Sequence, residues 1–330
     1  MVRGNEARIQ DVADILRTLD PPPPIEATPR ELGVGLLFSA NAYLAIVAIC
    51  HQTSPVGEAV LRGTVGGRPL LGWDFLKERW LEASISDPGL NTHERWLTMS
   101  ATDLSNLYAT DGTPSTLSRL AERALLLNDL GRFMTVGGWH SISESFEQCG
   151  FRWDGNGGML EILAGAIAYS DPVMKKSLFF ASIATSDCGW RLTESLAPPV
   201  DYHEVRGHLR LGTVQVEDEA LKRKLLLGLT LSEDEDTVLR CTVSNAIQRI
   251  SELSGHSAAV LHYYFWNIFR SCCPRPSVAT HCFSCPTSCQ CPEAYQQARP
   301  VPHVCPFSTS CESAGQNVKM VDPAYAGHFY

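Results

Sequence analysis

The chain has 330 residues, 44% hydrophobic and 19% charged, with a formal net charge of −9. That length accommodates one large or two ordinary domains, and the composition excludes a chain disordered throughout. No run approaches the roughly 18–20 apolar residues of a membrane span, and the opening Met-Val-Arg-Gly-Asn-Glu lacks the apolar core of a secretory signal. No membrane association and a cytoplasmic location are therefore expected. The acidity counts against nucleic acid as a partner, because phosphate neutralisation supplies most non-specific affinity. Much of the excess sits in Glu217-Asp218-Glu219 and Glu233-Asp234-Glu235-Asp236, whereas residues 171–210 hold five basic and five acidic side chains.

Nearly every periodic segment reads as helix. Over 6–19, Ile9, Val12, Ile15, Leu16 and Leu19 share one stripe, and the prolines from Pro21 onward stop it. A second helix is expected from Pro29, a good first-turn residue, to His51. Residues 57–72, rich in glycine, read as a loop or small hairpin, with room for short strands there and over 213–216. Helical patterns return over 73–84, 92–108, 115–133 and 140–149. The turn cluster Asp154-Gly155-Asn156-Gly157-Gly158 opens a helix over 159–168, which meets Ser170-Asp171-Pro172 and restarts over 173–185. After Pro198-Pro199, Asp201 begins another helix. Ser232, with Glu235 three residues on, forms a capping box that starts a helix toward Leu253, and 256–270 is the last long helix. The class is all-α. The expected divisions are an N-terminal helix and Pro-rich linker (1–28), an N-terminal helical region (29–150), a central region (151–255), and a last helix with a Cys-rich loop (256–330).

Of twelve cysteines, eight crowd between Cys272 and Cys311. In a reducing compartment such clustering favours metal or cluster ligation over crosslinking. Four thiolates suit either tetrahedral zinc, which asks for closely spaced pairs, or a [4Fe–4S] cluster, which accepts looser spacing. The order Arg270-Ser271-Cys272-Cys273, then Cys282-Phe283-Ser284-Cys285, then Cys305 and Cys311 with five residues between them, resembles the cluster loop of endonuclease III-type and MutY-type glycosylases. There a helix ends in Arg-x-x-Cys and the ligands follow as Cys-x6-Cys-x2-Cys-x5-Cys. The resemblance implies a [4Fe–4S] cluster on a set drawn from Cys273, Cys282, Cys285, Cys305 and Cys311, with zinc as the alternative. Two extra residues before Cys282 and about twenty between Cys285 and Cys305 leave the inner ligands open, and Cys289 and Cys291 are substitutes for them.

A second, independent stretch, Val200-Asp201-Tyr202-His203-Glu204-Val205-Arg206 with Arg210-Leu211-Gly212, is similar to the Val-Asp-Thr-His-x-x-Arg…Arg-Leu-Gly signature of the helix-hairpin-helix (HhH-GPD) glycosylase superfamily. The resemblance implies a two-lobed all-α glycosylase fold with a C-terminal cluster loop, 151–255 as its helix-hairpin-helix catalytic region, and Asp201 as the catalytic carboxylate. The chemistry fits. Breaking an N-glycosidic bond builds positive charge on the sugar, which a carboxylate stabilises, and the start of a helix holds an Asp ionised. Asp is also a common plain N-cap. The hairpin departs from the family's Leu-Pro-Gly-x-Gly. Tyr169-Ser170-Asp171-Pro172-Val173-Met174-Lys175-Lys176 has no glycine and looks nearer to archaeal 8-oxoguanine glycosylases, which implies Lys176 as a Schiff-base nucleophile, with Lys175 beside it.

The function implied is a DNA glycosylase, with Lys-dependent lyase activity as an added option. It would act on duplex DNA with a flipped base, in base excision repair or in defence against modified phage DNA, as a monomer. Trp139 and Trp190 are candidates for stacking an extruded base, and Lys175 and Arg206 for DNA contact. Two alternatives stand beside it. A queuosine-type nucleotide N-glycosylase would explain the acidity and the missing glycines, and a non-catalytic, metal-stabilised helical binding module would leave Asp201 as a cap.

Overall fold

A computed structural model describes residues 1–23, 29–30, 32–33, 35–53, 59–110, 112–273, 291–301, 303–314, 316, 320, 324 and 327–329. Among these the elements are β1 (Val2–Gly4), α1 (Glu6–Arg17), α2 (Leu36–Ala48), β2 (Arg62–Val65), β3 (Arg68–Leu71), α3 (Gly72–Ser86), α4 (His93–Leu97), α5 (Ala101–Leu107), α6 (Leu120–Gly137), α7 (Ile142–Gln148), α8 (Met159–Leu163), α9 (Lys175–Cys188), α10 (Tyr202–Leu211), β4 (Val214–Val216), α11 (Glu219–Leu227), α12 (Glu233–Ser254), α13 (Ala258–Cys272) and α14 (Glu293–Gln297). The protein is mostly helical, with two small two-stranded sheets, as an all-α reading requires. No described helix is long and apolar enough to cross a membrane.

The chain divides into two compact units. The first joins Met1–Ile25 to Leu196–Gly327; the second is Glu26–Ser195 with His328–Tyr330. The division falls inside the 151–255 region, so Lys176 and Asp201 belong to different units.

In the first unit α1 lies along α12, and α10 packs on α13. The stripe expected on α1 is buried: Ile9, Val12 and Leu16 join Leu239, Val243, Ile247, Val205, Leu209, Leu261, Phe265 and Phe269 in one core. The N-terminal strand β1 pairs antiparallel with β4, Val2 opposite Val216, tying the start of the chain to the segment after α10. Each helix start has a chemical cause. Asp201, Asp218, Ser232 and Ser257 each cap the orphan N–H groups of the helix that follows, and Glu204 and Glu235 complete capping boxes.

In the second unit α2 is the central helix, buried from Ser39 to Ala48. It begins at Leu36 rather than Pro29, because Gly33 and Gly35 take positive φ and interrupt the helix. The glycine-rich stretch forms the β2–β3 hairpin, turning at Gly66-Gly67, both with positive φ. The helix expected over 92–108 is two helices. Ser100 accepts the Asp103 N–H and receives the Asp103 carboxylate on its own backbone N–H, so a new helix starts there. The helix expected over 159–168 ends at Leu163 and continues as a 3₁₀ turn over Ile167–Tyr169.

Candidate functional site

Asp201 sits at the N-cap of α10. Its Oδ1 accepts the backbone N–H groups of His203 at 2.7 Å and Glu204 at 3.2 Å, and its own N–H donates to Glu204 Oε2 at 3.2 Å. Its second oxygen, Oδ2, accepts the indole N–H of Trp266 at 2.8 Å. The carboxylate is thus fixed by three N–H donors at the positive end of a helix, while the residue keeps partial exposure. The Arg270 guanidinium lies over the Trp266 ring, 4.3 Å from its centre.

Behind Asp201 the helix is anchored by buried polar side chains. Glu204, fully buried, accepts from or shares a proton with His262 Nδ1 at 2.9 Å, and burial pushes its carboxyl above the usual range against the opposing pull of His262. Arg206 is also buried. Its Nε donates to the Cys273 carbonyl at 2.7 Å, its Nη2 to the Phe269 carbonyl at 3.2 Å, and Nη2 also meets His203 Nδ1 at 2.8 Å. These carbonyls belong to the last turn of α13, whose final C=O groups lack intrahelical partners. Arg206, a candidate for DNA contact, therefore fastens α10 to α13.

The same face of α10 reaches the cysteine segment. Arg210 Nη1 donates to Cys273 Sγ at 3.2 Å, and its Nε donates to the Met320 carbonyl at 2.7 Å. The Arg210 carbonyl in turn accepts the Cys311 thiol at 3.3 Å and the Ser313 N–H at 3.0 Å. The two outer cysteines of the candidate ligand set, Cys273 and Cys311, thus both touch one arginine. Cys272, Cys291 and Cys305 belong to the buried core of this unit, with Cys273 and Cys311 packed against it. Burial is the main reason the Tyr264 hydroxyl is held protonated, with Cys305, Cys272 and Cys291 reinforcing it and Arg299 opposing it. All five carry thiols. Cys282 and Cys285, with Cys289, lie outside the described residues.

The sulfurs supply the donor chemistry of a thiolate-bound metal group without the spacing of a bound zinc ion. Five sulfurs gather on one apolar core, and an Arg210 N–H is bonded to Cys273 Sγ. Three thiolates on one zinc ion would stand roughly 3.8 Å apart, from Zn–S bonds of about 2.3 Å. No three of the described sulfurs lie within 4.8 Å of one another.

In the second unit Lys176 is fully buried, with Nζ donating to the Ala48 carbonyl at 2.5 Å. Arg123, equally buried, donates to the carbonyls of Ile49 and His51 and, at 2.8 Å, of Ser118. Both cations thereby serve the C-terminal end of α2, where buried carbonyls need donors and the helix dipole favours positive charge. Burial lowers the Lys176 ammonium to about 7, with Lys175 and Arg123 adding repulsion, while Cys50 and Asp171 oppose the shift. Lys175 points elsewhere: its Nζ lies 3.9 Å from Cys50 Sγ and 5.1 Å from the centre of the Phe179 ring.

The turn before α9 is closed on itself. Buried Asp171 accepts the Val173 N–H at 3.1 Å and the Lys175 N–H at 2.9 Å, and Met174 takes a positive φ. These are the N–H groups that a glycine hairpin would offer to a phosphate. Trp190 lies flat on Phe146, 4.3 Å between ring centres, within an aromatic group that includes Trp153 and Phe180. Trp139 rests against Phe133, and its indole N–H donates to Gln148 at 2.8 Å.

Sequence reasoning missed the partners of the carboxylate and of the buried cations. Trp266 was visible only as one of several aromatics on α13, and nothing local marks it as the donor to Asp201. Glu204 was partly legible, being three residues after Asp201 as a capping box requires, but its His262 partner is 58 residues away. A comparison of the chain with protein-family models gives no match, and a comparison with curated proteins gives none either.

Proposed function

We propose that the protein is an N-glycosylase, with Asp201 as the carboxylate that stabilises positive charge on the sugar as the C1′–N bond breaks, and DNA as the substrate. In this reading the fold is the two-lobed helix-hairpin-helix glycosylase fold. The observation that supports it best is the Asp201 carboxylate itself, immobilised by His203 N–H, Glu204 N–H and Trp266 Nε1 while still reaching the surface. A carboxylate preorganised in this way opposes developing charge without having to reorganise.

The cysteine segment completes the reading. Four of Cys273, Cys282, Cys285, Cys305 and Cys311 would hold a [4Fe–4S] cluster, which when bound supplies structural crosslinking to a segment poor in apolar residues. Arg206 and Arg210 transmit that support to α10 and so to Asp201. Lys176 is the candidate for the lyase option. With an ammonium lowered to about 7, a substantial share is the neutral amine at neutral pH.

Incubating the full chain with a panel of modified duplex DNAs and identifying released bases by mass tests this proposal. Release of a base supports it.

A second reading keeps the chemistry and changes the substrate to a free nucleotide, as in queuosine-type N-glycosylases. The observation favouring it is Asp171, which fills the Val173 and Lys175 N–H groups of the hairpin with the protein's own carboxylate. Turnover of a nucleotide with no release from any DNA selects it. A third, a non-catalytic metal-stabilised module, takes the Asp201–Glu204 capping box as the whole purpose of Asp201.

A further inference from the structure

We propose that the second unit carries a divalent transition-metal site, of the Zn²⁺ class, formed by His93, Glu94 and His140 with water completing the coordination. One nitrogen from each histidine and one Glu94 oxygen lie within 4.8 Å of one another. His93 Nε2 and Glu94 Oε1 are 3.3 Å apart. Two ligands on one tetrahedral ion, at metal–ligand bonds of about 2.0–2.1 Å, stand at nearly that separation, roughly 3.3 Å. The two imidazole rings lie with centres 5.7 Å apart and planes tilted by 47°. Two imidazoles and one carboxylate, with a position left for water, are a donor set that suits zinc and its first-row neighbours.

The site is built on a rigid frame. His93 is the first residue of α4, and His140 lies in the connection between α6 and α7, so two separate segments must be held together. Asn41 does this from α2. It is buried, and its Nδ2 donates to the Asn91 carbonyl and to the His140 carbonyl, each at 3.1 Å. Its Oδ1 accepts the Ile142 N–H at 2.9 Å. His140 is pinned again by its own N–H, which donates to Glu144 Oε2 at 3.0 Å. On the other side, α4 lies against Gly131 of α6, where a Cβ would come within 2.8 Å of the His93 carbonyl oxygen.

The imidazole of His93 is 8% exposed, so its ring is held in place at the inner end of the group, with Glu94 and His140 outside it. Glu94 and His140 are exposed at the mouth, so an ion can enter and both side chains can adjust by the fraction of an ångström that closure needs.

Co²⁺ serves as the probe, titrated into the full chain as purified and followed by difference absorption and calorimetry. The expected result is one equivalent of Co²⁺ with weak visible ligand-field bands and no intense sulfur-to-cobalt charge-transfer band, which separates this site from the cysteine segment. His140→Ala should abolish that equivalent, and Glu94→Gln, an exposed change that leaves the fold intact, should weaken it at least about tenfold. Co²⁺ binding unchanged in both variants, or only sulfur-ligated Co²⁺ in the parent protein, overturns the proposal.

Discussion

Trp266 Nε1 donates to Asp201 Oδ2 at 2.8 Å, joining the N-terminus of α10 to the middle of α13 across 65 residues of chain. The bond occupies the carboxylate oxygen that the capping box leaves over. Replacing Trp266 by Phe keeps the ring under Arg270 and removes only this donor. Stability should fall by about 1.5–3 kcal/mol, the worth of one hydrogen bond to a charged group, measured by urea midpoint. Base release should also fall clearly, because the carboxylate is freed to rotate.

Substitution of Asp201 itself separates cap from catalyst. Asn caps helices about as well as Asp, whereas Ala costs about 1 kcal/mol. Asp201→Ala should therefore lower the urea midpoint and Asp201→Asn should leave it near the parent value. An Asn variant that unfolds early would show that charge, rather than capping, holds α10.

Lys176 predicts a pH profile. Its neutral amine is the reactive form, so borohydride-trapped adduct on DNA should rise as pH increases through about 7, and Lys176→Met should give none. No adduct in the parent protein at any pH would make the enzyme a monofunctional hydrolase. Stability follows the same group. The folded state binds this proton less readily than the unfolded chain does, so stability rises with pH between about 7 and the ordinary lysine range. That rise should be flatter in Lys176→Met.

His208 gives an acid-side test. It is fully buried beside Thr213, and desolvation lowers its imidazolium to about 3. A depressed value means that stability is fully present above the ordinary histidine range near 6.5 and drains away as pH falls toward 3. His208→Gln should shallow the acid limb of the stability curve, measured by urea midpoints from pH 7 to 4. An unchanged slope would place acid sensitivity elsewhere.

For the cysteine segment, Cys273→Ser and Cys311→Ser should each reduce bound iron and visible absorbance in the purified full chain. Both should also lower the thermal midpoint, because both residues stand on Arg210. A protein that holds zinc and no iron, with the same two variants losing it, would select the zinc alternative.

The sequence carried the helical class through apolar periodicity and through caps. Ser232 with Glu235 and Asp201 with Glu204 are written within four residues and fold as written. The same kind of signal occurs at Ser100–Asp103, which splits an apparent long helix, and at α11, where Asp218, Leu221, Leu225 and Gly228 form a helix that the sequence reading does not include. What local pattern cannot carry is pairing across the chain. Arg206 on Cys273, Trp266 on Asp201, and Lys176 on Ala48 depend on which helix ends the fold brings together. Arg206 illustrates the limit: a basic residue in a DNA-glycosylase-like motif reads as a phosphate contact, yet two orphan carbonyls of α13 take its guanidinium. The Asn41 amide bridge between the His93 and His140 segments was illegible for the same reason.

Base release by the parent protein and by Asp201→Asn, assayed side by side on the modified-DNA panel with products identified by mass, tests the central claim most directly. The parent should release a base and the variant should lose about 10²-fold or more of that release, with its helical circular dichroism unchanged. Equal release by the two proteins would contradict the claim.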